Sequence, residues 1–438
     1  MTEPAADRFP RASFVVGSIV DYAGVARAKA VPRTRLDAFA TAGMGASPSW
    51  NVFCADDQLA FTPEISVVGD LRLRIDESNL RDVGDGVVWA PADVFDQHGA
   101  RSPLCTRGIL ERAIGALAAD GIVARVGHEL EFVLVGATPP GPWSAYGLGS
   151  VLERAGFAGD LLAAAHTAGL EIEQLHAEYG PDQFEISLAP RDPLGAADDV
   201  ALARLLVSRV ARAHGLRASF SPVPFAGGAG NGAHQHLSLV RDGVPVLSGG
   251  PGVHGLHHDG EAAIGGILHH LPDVMGVLAA SALSGLRLQP GMWSGAHCCW
   301  GLENREAAVR LCAATAGNPH GASIEVKPID PSANPYLSSA VILGMALDGI
   351  RRRLPLAEDV PMNPAELSDE ARARAQVTLL PTDVPEMLAR LQACAVARDV
   401  LGDAAIGALV SVRSAEHTAY AEKEPAEVAE RLRFAWSA

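Results

Sequence analysis

Residues 127–135 read GHELEFVLV, a short run whose alternating pattern predicts a β-strand with two different faces. Because side chains alternate across a strand, Glu129 and Glu131 share one face and the apolar side chains take the other. Two like charges on one strand face repel each other unless a cation or solvent compensates them. Two interpretations follow: a metal lies beside this face, or the face is solvated and the glutamates are ordinary.

Ionisable groups with the same spacing recur in other apolar stretches, and a further pair of glutamates flanks a turn. These residues are His234 and His236 in AHQHLSL (233–239), Glu325 and Lys327 in SIEVKPID (323–330), and Glu178 and Glu185 in AEYGPDQFEIS (177–187). Their joint occurrence favours a metal site over several unrelated solvated faces. Five glutamates with one imidazole form an oxygen-rich ligand set, which suits Mg²⁺ or Mn²⁺ better than Zn²⁺.

A glycine-rich loop and several arginines accompany these carboxylates. Gly230 and Gly232, in GGAGNG (227–232), would let the backbone approach a small ligand closely. The loop has neither the GxGxxG order nor the terminal Lys-Ser/Thr of a P-loop, so a Rossmann or Walker interpretation gains little support. Arginines bind carboxylate or phosphate in bidentate fashion, although they also serve simply as soluble surface groups. The candidates are Arg287, Arg305 and Arg310.

Composition narrows the class of protein further. The chain has 438 residues, 48% of them hydrophobic and 20% charged, which is typical of a compact globular protein with two or three domains. The formal net charge of −16, without a basic run, disfavours nucleic acid as a partner. With no apolar leader, no membrane-length apolar window and no CxxC among six cysteines, we expect neither membrane insertion nor disulfides, and a cytoplasmic location.

Periodicity indicates an α+β organisation without a regular βαβ alternation. We place a domain boundary near Pro103, which divides the chain into residues 1–102 and 103–438. From Leu356 onward the pattern is mostly helical. The individual predictions are a β-hairpin over 12–32 turning at 21–24, a helix over 106–121, a strand over 122–136, a long helix over 192–215 and an extended segment over 217–225.

Six motifs in order resemble those of the glutamine synthetase superfamily, in particular its γ-glutamylpolyamine and γ-glutamylethanolamide synthetase branch. They are GHELEF, EYGPDQFE, GNGAHQHLS, RLQPG, ENREAAVR and IEVKPIDPSANPYL. The resemblance implies a small amino-terminal β-grasp domain (1–102) and a large catalytic domain built on an antiparallel sheet with helices (103–438). It further implies a homo-oligomer, commonly a dodecamer, with active sites between adjacent subunits.

The resemblance also implies a role for each matching residue. Glutamate, ATP and two or more Mg²⁺ or Mn²⁺ ions would meet in one site, where γ-glutamyl phosphate forms and an amine then displaces phosphate. One metal would be held by Glu131, Glu178 and Glu185, and the other by Glu129, His234 and Glu325. His236, Ser238, Arg305 and Arg310 would bind ATP, and Gly230, Gly232, Arg287 and Lys327 would bind glutamate. Arg287, Arg305 and Lys327 would act in catalysis.

Two departures from the family pattern concern the acceptor. Ammonia-using members carry a glutamate after the Arg-Leu-x-Pro-Gly motif, whereas RLQPGMWSG (287–295) has Trp293 there. FATAGMGASPSWNVFC (39–54) also lacks the ammonium-binding aspartate of the family. We therefore expect an acceptor pocket rebuilt for an organic amine, with Trp293 as a wall, aided by Trp50 and His297.

The nature of that amine stays open. Neither loop supplies an acidic partner for extra cationic nitrogens, which favours a small monoamine such as ethanolamine over a polyamine. The alternatives are a γ-glutamylpolyamine synthetase, an ammonia-using glutamine synthetase with relocated contacts, and a non-catalytic ring-forming member of the family. Trp293 also has a simpler interpretation, in which it fills the core between the two domains.

Overall fold

The computed structural model describes residues 9–137, 141–318 and 320–438. Within them the chain forms two sheets, with helices packed mainly around the larger one, so the expected α+β class is confirmed. The strands are β1 (Phe14–Val20), β2 (Ala26–Pro32), β3 (Met44–Ala46), β4 (Leu71–Ile75), β5 (Arg81–Asp82), β6 (Val87–Phe95), β7 (Ile122–Val135), β8 (Ile172–Ala177), β9 (Gln183–Leu188), β10 (Arg217–Ser219), β11 (Gln235–Arg241), β12 (Val244–Pro245), β13 (His297–Leu302), β14 (Ala307–Cys312), β15 (Ser323–Val326) and β16 (Thr378–Leu379).

Helices account for most of the remaining regular structure. The α-helices are α1 (Leu36–Thr41), α2 (Thr106–Ala119), α3 (Leu148–Glu153), α4 (Ala155–Ala168), α5 (Pro193–Ala213), α6 (His258–Leu278), α7 (Ser284–Arg287), α8 (Pro335–Arg352), α9 (Asp369–Arg374), α10 (Val384–Ala393), α11 (Ala395–Leu401), α12 (Asp403–Tyr420) and α13 (Pro425–Leu432). Five of them, α9 to α13, follow Leu356, which confirms the helical carboxy-terminal region. Among the described residues, no helix combines the length and apolar character needed to cross a bilayer.

The smaller sheet has the strand order β2-β1-β6-β4-β3, with β5 pairing to β6. Strands β1 and β2 form the predicted hairpin, and Asp21 closes its turn by accepting hydrogen bonds at 2.9 Å from the Ala23 and Val25 amides. Strands β1 and β6 run parallel, and helix α1 packs its buried Leu36 and Phe39 against the sheet. This arrangement is the β-grasp expected for the amino-terminal part.

The larger sheet has the order β16-β13-β14-β15-β11-β7-β9-β8, with β10 and β12 paired to β7 and β11. Its pairs are antiparallel except for β13 with β14, which run parallel. The longest strand, β7, buries Leu130, Phe132 and Leu134 on the face that packs against helices. Glu129 and Glu131 therefore lie on the opposite face, as the alternation predicts.

Local sequence explains where the main helices begin and end. Asp192 caps α5 by accepting a hydrogen bond from the Gly195 amide at 2.9 Å, and Pro193 occupies the first helical position. Helix α2 is followed by Gly121 at a φ of 71°, a conformation that glycine adopts freely. Both helices match their predicted spans closely. The extended segment predicted over 217–225 forms a strand only over β10.

Candidate active site

Strand register brings the predicted acidic residues onto one face of the larger sheet. Glu131 of β7 lies opposite Glu185 of β9, and His236 of β11 lies opposite Glu325 of β15. The Glu129 amide donates to the carbonyl of His234 at 3.0 Å, which brings the start of β11 beside β7. Four neighbouring strands thus carry one continuous polar array.

His234 lies at the centre of this array. Its Nδ1 is 3.1 Å from Glu129 Oε2 and 3.5 Å from Glu325 Oε1, and its Nε2 is 3.9 Å from Glu131 Oε1. The side chain is 8% exposed. A nearly buried imidazole surrounded by three carboxylates is a set of donors that suits a bound cation.

A second group of donors forms where β8 and β9 meet. His176 Nε2 lies 2.9 Å from Glu178 Oε1 and 3.7 Å from Glu185 Oε1. The sequence argument missed His176, although it has the same two-residue spacing to Glu178 as the other pairs and lies opposite Glu185 in the sheet. The hydrogen bond that His176 donates to Glu178 raises the pKa of His176, in spite of partial burial.

Charge is unevenly distributed across the array. Burial, followed by the charges of Glu129 and Glu131, raises the pKa of Glu185 well above its ordinary value. Burial acts in the same direction on Glu129, but hydrogen bonds from His234 and His236 hold the pKa of that carboxyl well below its usual range. The Glu185 carboxyl thus lacks a cationic partner sufficient to offset its negative neighbours.

The donor chemistry fits hard divalent cations. At this array, three groups each have one donor atom per residue within 4.8 Å of the others: Glu129, Glu185 and His234; Glu129, His236 and Glu325; and His176, Glu178 and Glu185. The two sets implied by the resemblance are divided differently here. His236 and His176 join the groups, whereas Glu131 stays outside them and accepts a hydrogen bond from Gln183 at 3.3 Å. Oxygen-rich sets of this kind suit Mg²⁺ or Mn²⁺.

Cationic side chains lie along the edge of the array nearest β15. Lys327 Nζ donates to Glu325 Oε1 at 3.0 Å, and Arg310 Nη1 donates to Glu325 Oε2 at 3.1 Å. The charge of Lys327, followed by those of His236 and His234, outweighs the effect of burial and lowers the pKa of Glu325 to about 2. Both cations are therefore held beside a fixed negative charge, where a phosphate or carboxylate of a substrate could replace part of that interaction.

Arg287 reaches the array from the end of α7. Its Nη2 lies 3.3 Å from His234 Nε2, and its Nη1 is buried without a hydrogen-bond partner among the described residues. Burial lowers the pKa of this guanidinium. A buried donor without a partner costs free energy, so the geometry favours a bound anion at this point.

The two predicted glycines make room for this arrangement. A Cβ at Gly232 would lie 2.6 Å from His234 Nε2 and 2.8 Å from both Arg287 Nη2 and Glu131 Oε1. At Gly230 it would lie 2.8 Å from Arg287 Cγ. A side chain at either position would collide with these residues and displace the array. Glycine is therefore needed at both positions for the backbone to approach so closely.

Other predicted residues occupy more peripheral places. His236 Nδ1 lies 3.1 Å from Ser323 Oγ, and Ser238 Oγ donates to the Ala322 carbonyl at 2.7 Å. Arg305 is exposed on the turn before β14, where its charge contributes to the lowered pKa of Glu303, and no hydrogen bond or ion pair joins it to the array within the described ranges.

The aromatic wall expected for the acceptor is only partly assembled by this chain. Trp50 packs on the core of the smaller sheet, with Lys29 Nζ 5.2 Å from its ring centre. His297 is buried on β13, and burial lowers its pKa. Trp293 is 52% exposed, so the interpretation that it fills a core between domains of this chain is wrong.

Trp293 has two neighbours that the sequence argument did not find. Its ring meets that of Tyr179 edge to face, with 6.4 Å between centroids. Its backbone N–H donates to Glu306 Oε1 at 3.1 Å. Glu306 is thus an acidic group beside the acceptor loop, contributed by a third segment that the two-loop argument left out.

Comparison with known proteins gives a consistent result. The glutamine synthetase catalytic domain, as a family, matches residues 103–431. The chain is 39% identical over 414 residues to gamma-glutamylpolyamine synthetase GlnA3 of Streptomyces coelicolor, covering 92% of this chain and 89% of that protein. It is 30% identical over 405 residues to the glutamine synthetase of Pyrococcus horikoshii, covering 90% and 87%.

Solved structures show the same fold over nearly the whole chain. A crystal structure described as a novel glutamine synthase homolog matches with a TM-score of 0.87 and 28% identity, covering 99% of both chains. A structure described as a GmaS/ADP complex matches with a TM-score of 0.84 and 27% identity, covering 97% of both chains.

Proposed function

This chain belongs to the glutamine synthetase family and is an ATP-dependent ligase, and from that premise we propose that it joins the γ-carboxyl group of glutamate to an organic amine. The observation that carries the proposal is the contrast between two parts of the site. The carboxylate and imidazole array on the larger sheet is complete, whereas the acceptor loop presents Trp293 where the resemblance expects a carboxylate. Activation of glutamate is thus retained while ammonium recognition is altered.

The array would hold the divalent cations through Glu129, Glu178, Glu185, His234 and Glu325, which belong to the donor groups, and through Glu131, which lies outside those groups but directly opposite Glu185. Bound there, the ions supply positive charge that offsets the negative charge of the transferring phosphoryl group. Lys327 and Arg310, already directed at Glu325, add two cations on the same side. Arg287, whose Nη1 has no hydrogen-bond partner in the part of the chain that the structure describes, would bind a carboxylate of glutamate beside Gly230 and Gly232.

The reaction then follows in two displacements. A γ-carboxylate oxygen of glutamate attacks the γ-phosphorus of ATP, and the bond from that phosphorus to ADP breaks. The neutral nitrogen of the amine attacks the acyl carbon of γ-glutamyl phosphate, phosphate leaves with the electrons of the C–O bond, and the nitrogen loses a proton. The chain's own residues hold the carboxylate and phosphates in place while the acceptor approaches from the Trp293 side.

Polyamines are a well-supported class of acceptor. The relative that is 39% identical over 92% of this chain is named a γ-glutamylpolyamine synthetase. The sequence argument for a monoamine depended on two loops without acidic groups, and Glu306 adds a carboxylate beside one of them. Ethanolamine and ammonium remain the competing acceptors, and several relatives named glutamine synthetase support the latter.

The test is phosphate release from ATP in the presence of Mg²⁺ and glutamate, with each acceptor supplied separately. The panel is ammonium, ethanolamine, n-butylamine, putrescine and spermine. We expect kcat/KM to be higher for an organic amine than for ammonium. A higher value for ammonium than for every organic amine would contradict the proposal and establish an ammonia-using enzyme.

A homo-oligomer completes the proposal. Trp50 lies on the smaller sheet, and the contacts of its ring are with that sheet rather than with the carboxylate array. The resemblance places the active sites between neighbouring subunits, so Trp50 would reach an acceptor only in another copy of the chain. Light scattering measures the mass of the assembly directly. A monomer with full activity would contradict the proposal of active sites between subunits.

A further inference from the structure

Two exposed aromatic side chains meet edge to face beside the carboxylate array. Tyr179 is 66% and Trp293 is 52% exposed, which is unusual for large aromatic residues unless they contact a ligand or partner. Their rings are 6.4 Å apart at an interplanar angle of 75°. The two residues are 114 positions apart in the chain, so this contact depends on the tertiary fold and not on local sequence.

The aromatic pair connects the two sides of the site. The Tyr179 amide donates to Glu178 Oε2 at 2.9 Å, so this residue directly adjoins the acidic array. The Trp293 loop starts at Arg287, which contacts His234, and passes Gly295, where a Cβ would lie 2.9 Å from Lys327 Cβ. The pair therefore stands where an acceptor would enter.

Glu306 holds the Trp293 loop through a hydrogen bond that it accepts from the loop backbone. Trp293 has a φ of 51°, a strained conformation for a residue with a Cβ, and its amide is bonded to Glu306 Oε1. Glu306 is 8% exposed, and its Oε2 has no hydrogen-bond partner among the described residues. A buried carboxylate oxygen with an unmet hydrogen-bonding capacity indicates that a donor binds nearby.

We propose that Tyr179 and Trp293 form an aromatic clamp that binds the distal ammonium group of a diamine or polyamine acceptor, with Glu306 holding Trp293 in place. The clamp rests on the proposed γ-glutamyl ligase function and specifies its substrate class. The reacting nitrogen enters the site in its neutral form, whereas a second nitrogen stays protonated and lies against the aromatic faces. Monoamines have no such group to place there.

The negative charge of the surroundings supports this assignment. Glu306 supplies a carboxylate on the loop side of the aromatic pair, away from the groups that would hold the divalent cations, so a cationic nitrogen is attracted to this side of the site. A cation–π contact corresponds to a preference of about 2- to 30-fold. Ammonium is small and strongly hydrated, and it gains much less from an aromatic surface because it would have to give up water.

Putrescine and n-butylamine test the clamp, because they have the same carbon chain and differ only in the distal ammonium. The measurement is the ratio of their kcat/KM values in the wild type and in four variants. Trp293→Leu keeps apolar bulk without an aromatic face, and Trp293→Phe keeps the face. Tyr179→Ala removes the aromatic ring of the second residue, and Tyr179→Phe keeps it.

We expect the putrescine preference to fall by about 2- to 30-fold in Trp293→Leu and Tyr179→Ala, and to persist in the two phenylalanine variants. Equal losses for both amines would show a structural role for the ring and overturn the clamp. An unchanged ratio with normal phosphate release would overturn the clamp and leave the ligase function intact. Absence of phosphate release from the wild type with every amine would contradict the proposed function instead.

A direct binding measurement tests the clamp independently of catalytic turnover. Calorimetric titration of putrescine into the wild type and into Trp293→Leu, each with ATP, Mg²⁺ and no glutamate, reads affinity without the complete reaction. Weaker binding to the variant is expected. Equal affinities in the two folded proteins, checked by their melting temperatures, would reject the clamp even if the enzyme class were different from that proposed.

Discussion

Glu131 on β7 is the direct cross-strand neighbour of Glu185 on β9. Two carboxylates in such positions repel each other, and burial together with neighbouring glutamates raises the pKa of Glu185 well above its ordinary value. The sheet register therefore leaves Glu185 among like charges without a cationic partner sufficient to offset them. Divalent cations should stabilise the folded state, because they bind the native array and not the unfolded chain.

Removing a ligand of the array should remove both activity and this stabilisation. We expect Glu131→Ala and Glu325→Ala to lower ATP-dependent phosphate release by at least about 100-fold and to lose most of the rise in Tm that Mn²⁺ gives the wild type. Thermal unfolding with EDTA and with added Mn²⁺ measures the second effect. Glu430→Ala, at an exposed position on α13, is the matched control and should behave as the wild type. Retained turnover in both array variants would refute the metal assignment.

Trp293→Glu restores a carboxylate to the acceptor loop. A charge-assisted hydrogen bond contributes about 1.5–3 kcal/mol, so kcat/KM for ammonium relative to that for putrescine should rise at least about tenfold. The ratio is the informative quantity, because damage to ATP or glutamate binding affects both acceptors alike. A ratio equal to that of the wild type would show that Trp293 has no part in acceptor selection.

Glu306 should act by holding Trp293 and by its charge, and two variants separate these effects. Glu306→Ala leaves the Trp293 amide without its acceptor, and we expect KM for putrescine to rise at least about fivefold, consistent with the 1–3 kcal/mol cost of an unmet hydrogen bond. Glu306→Gln keeps an oxygen acceptor without the charge, so it should recover part of this loss. Steady-state kinetics with putrescine measures both. Identical values for the two variants would mean that the bond to Trp293 contributes nothing.

Gly232→Ala tests the close approach at the array. The added Cβ would lie within 2.8 Å of His234, Arg287 and Glu131, so we expect a loss of about 1–3 kcal/mol in the free energy of unfolding and a severe loss of turnover. Gly407→Ala on α12 is the matched control, since its Cβ would meet nothing within 4 Å. That variant should gain about 0.5–1 kcal/mol and keep its activity. Denaturant unfolding measures both.

The hairpin turn predicts a pH dependence. Burial raises the pKa of Asp21 to about 6, against the opposing effect of Arg27. A carboxyl with a raised folded-state pKa favours folding when protonated, so stability falls as the pH rises from about 4 through 6. Asp21→Asn cannot ionise, and the wild type should therefore lose stability relative to it between pH 4.5 and pH 7.5, by up to about 3 kcal/mol. A constant difference between the two proteins across this range would contradict the prediction.

Alternation along strands made the array predictable from the sequence. The spacing of two residues places Glu129 with Glu131, and His234 with His236, on one side of their segments. Glu185 joins them because it lies opposite Glu131 in the sheet, and Glu325 because it lies opposite His236. The hairpin and the long helices followed equally from local patterns. The division of the donor residues into groups could not be predicted from local patterns. It depends on distances between strands, which the order of residues in the chain leaves open.

The neighbours of Trp293 lay beyond local patterns. Tyr179 and Trp293 meet only because a turn after β8 and the loop after α7 converge, and neither segment has a periodicity that predicts the contact. Glu306 did carry a signal, since it lies two and four residues before Ala308 and Arg310 on the same strand face. His176 carried a similar signal through its spacing to Glu178. Neither residue is among those to which the resemblance assigns a role.

Trp293 lies in the loop that leads into β13, and this position has a consequence for how such a protein diversifies. The residues proposed to activate glutamate are fixed by strand register, where a shift of one position would turn every side chain to the wrong face. Trp293 and Tyr179 belong to connecting segments, which tolerate change without disturbing the register. With the roles proposed for Trp293 and Tyr179, acceptor preference can be exchanged during evolution, or by a designer, while the chemistry that consumes ATP is inherited intact.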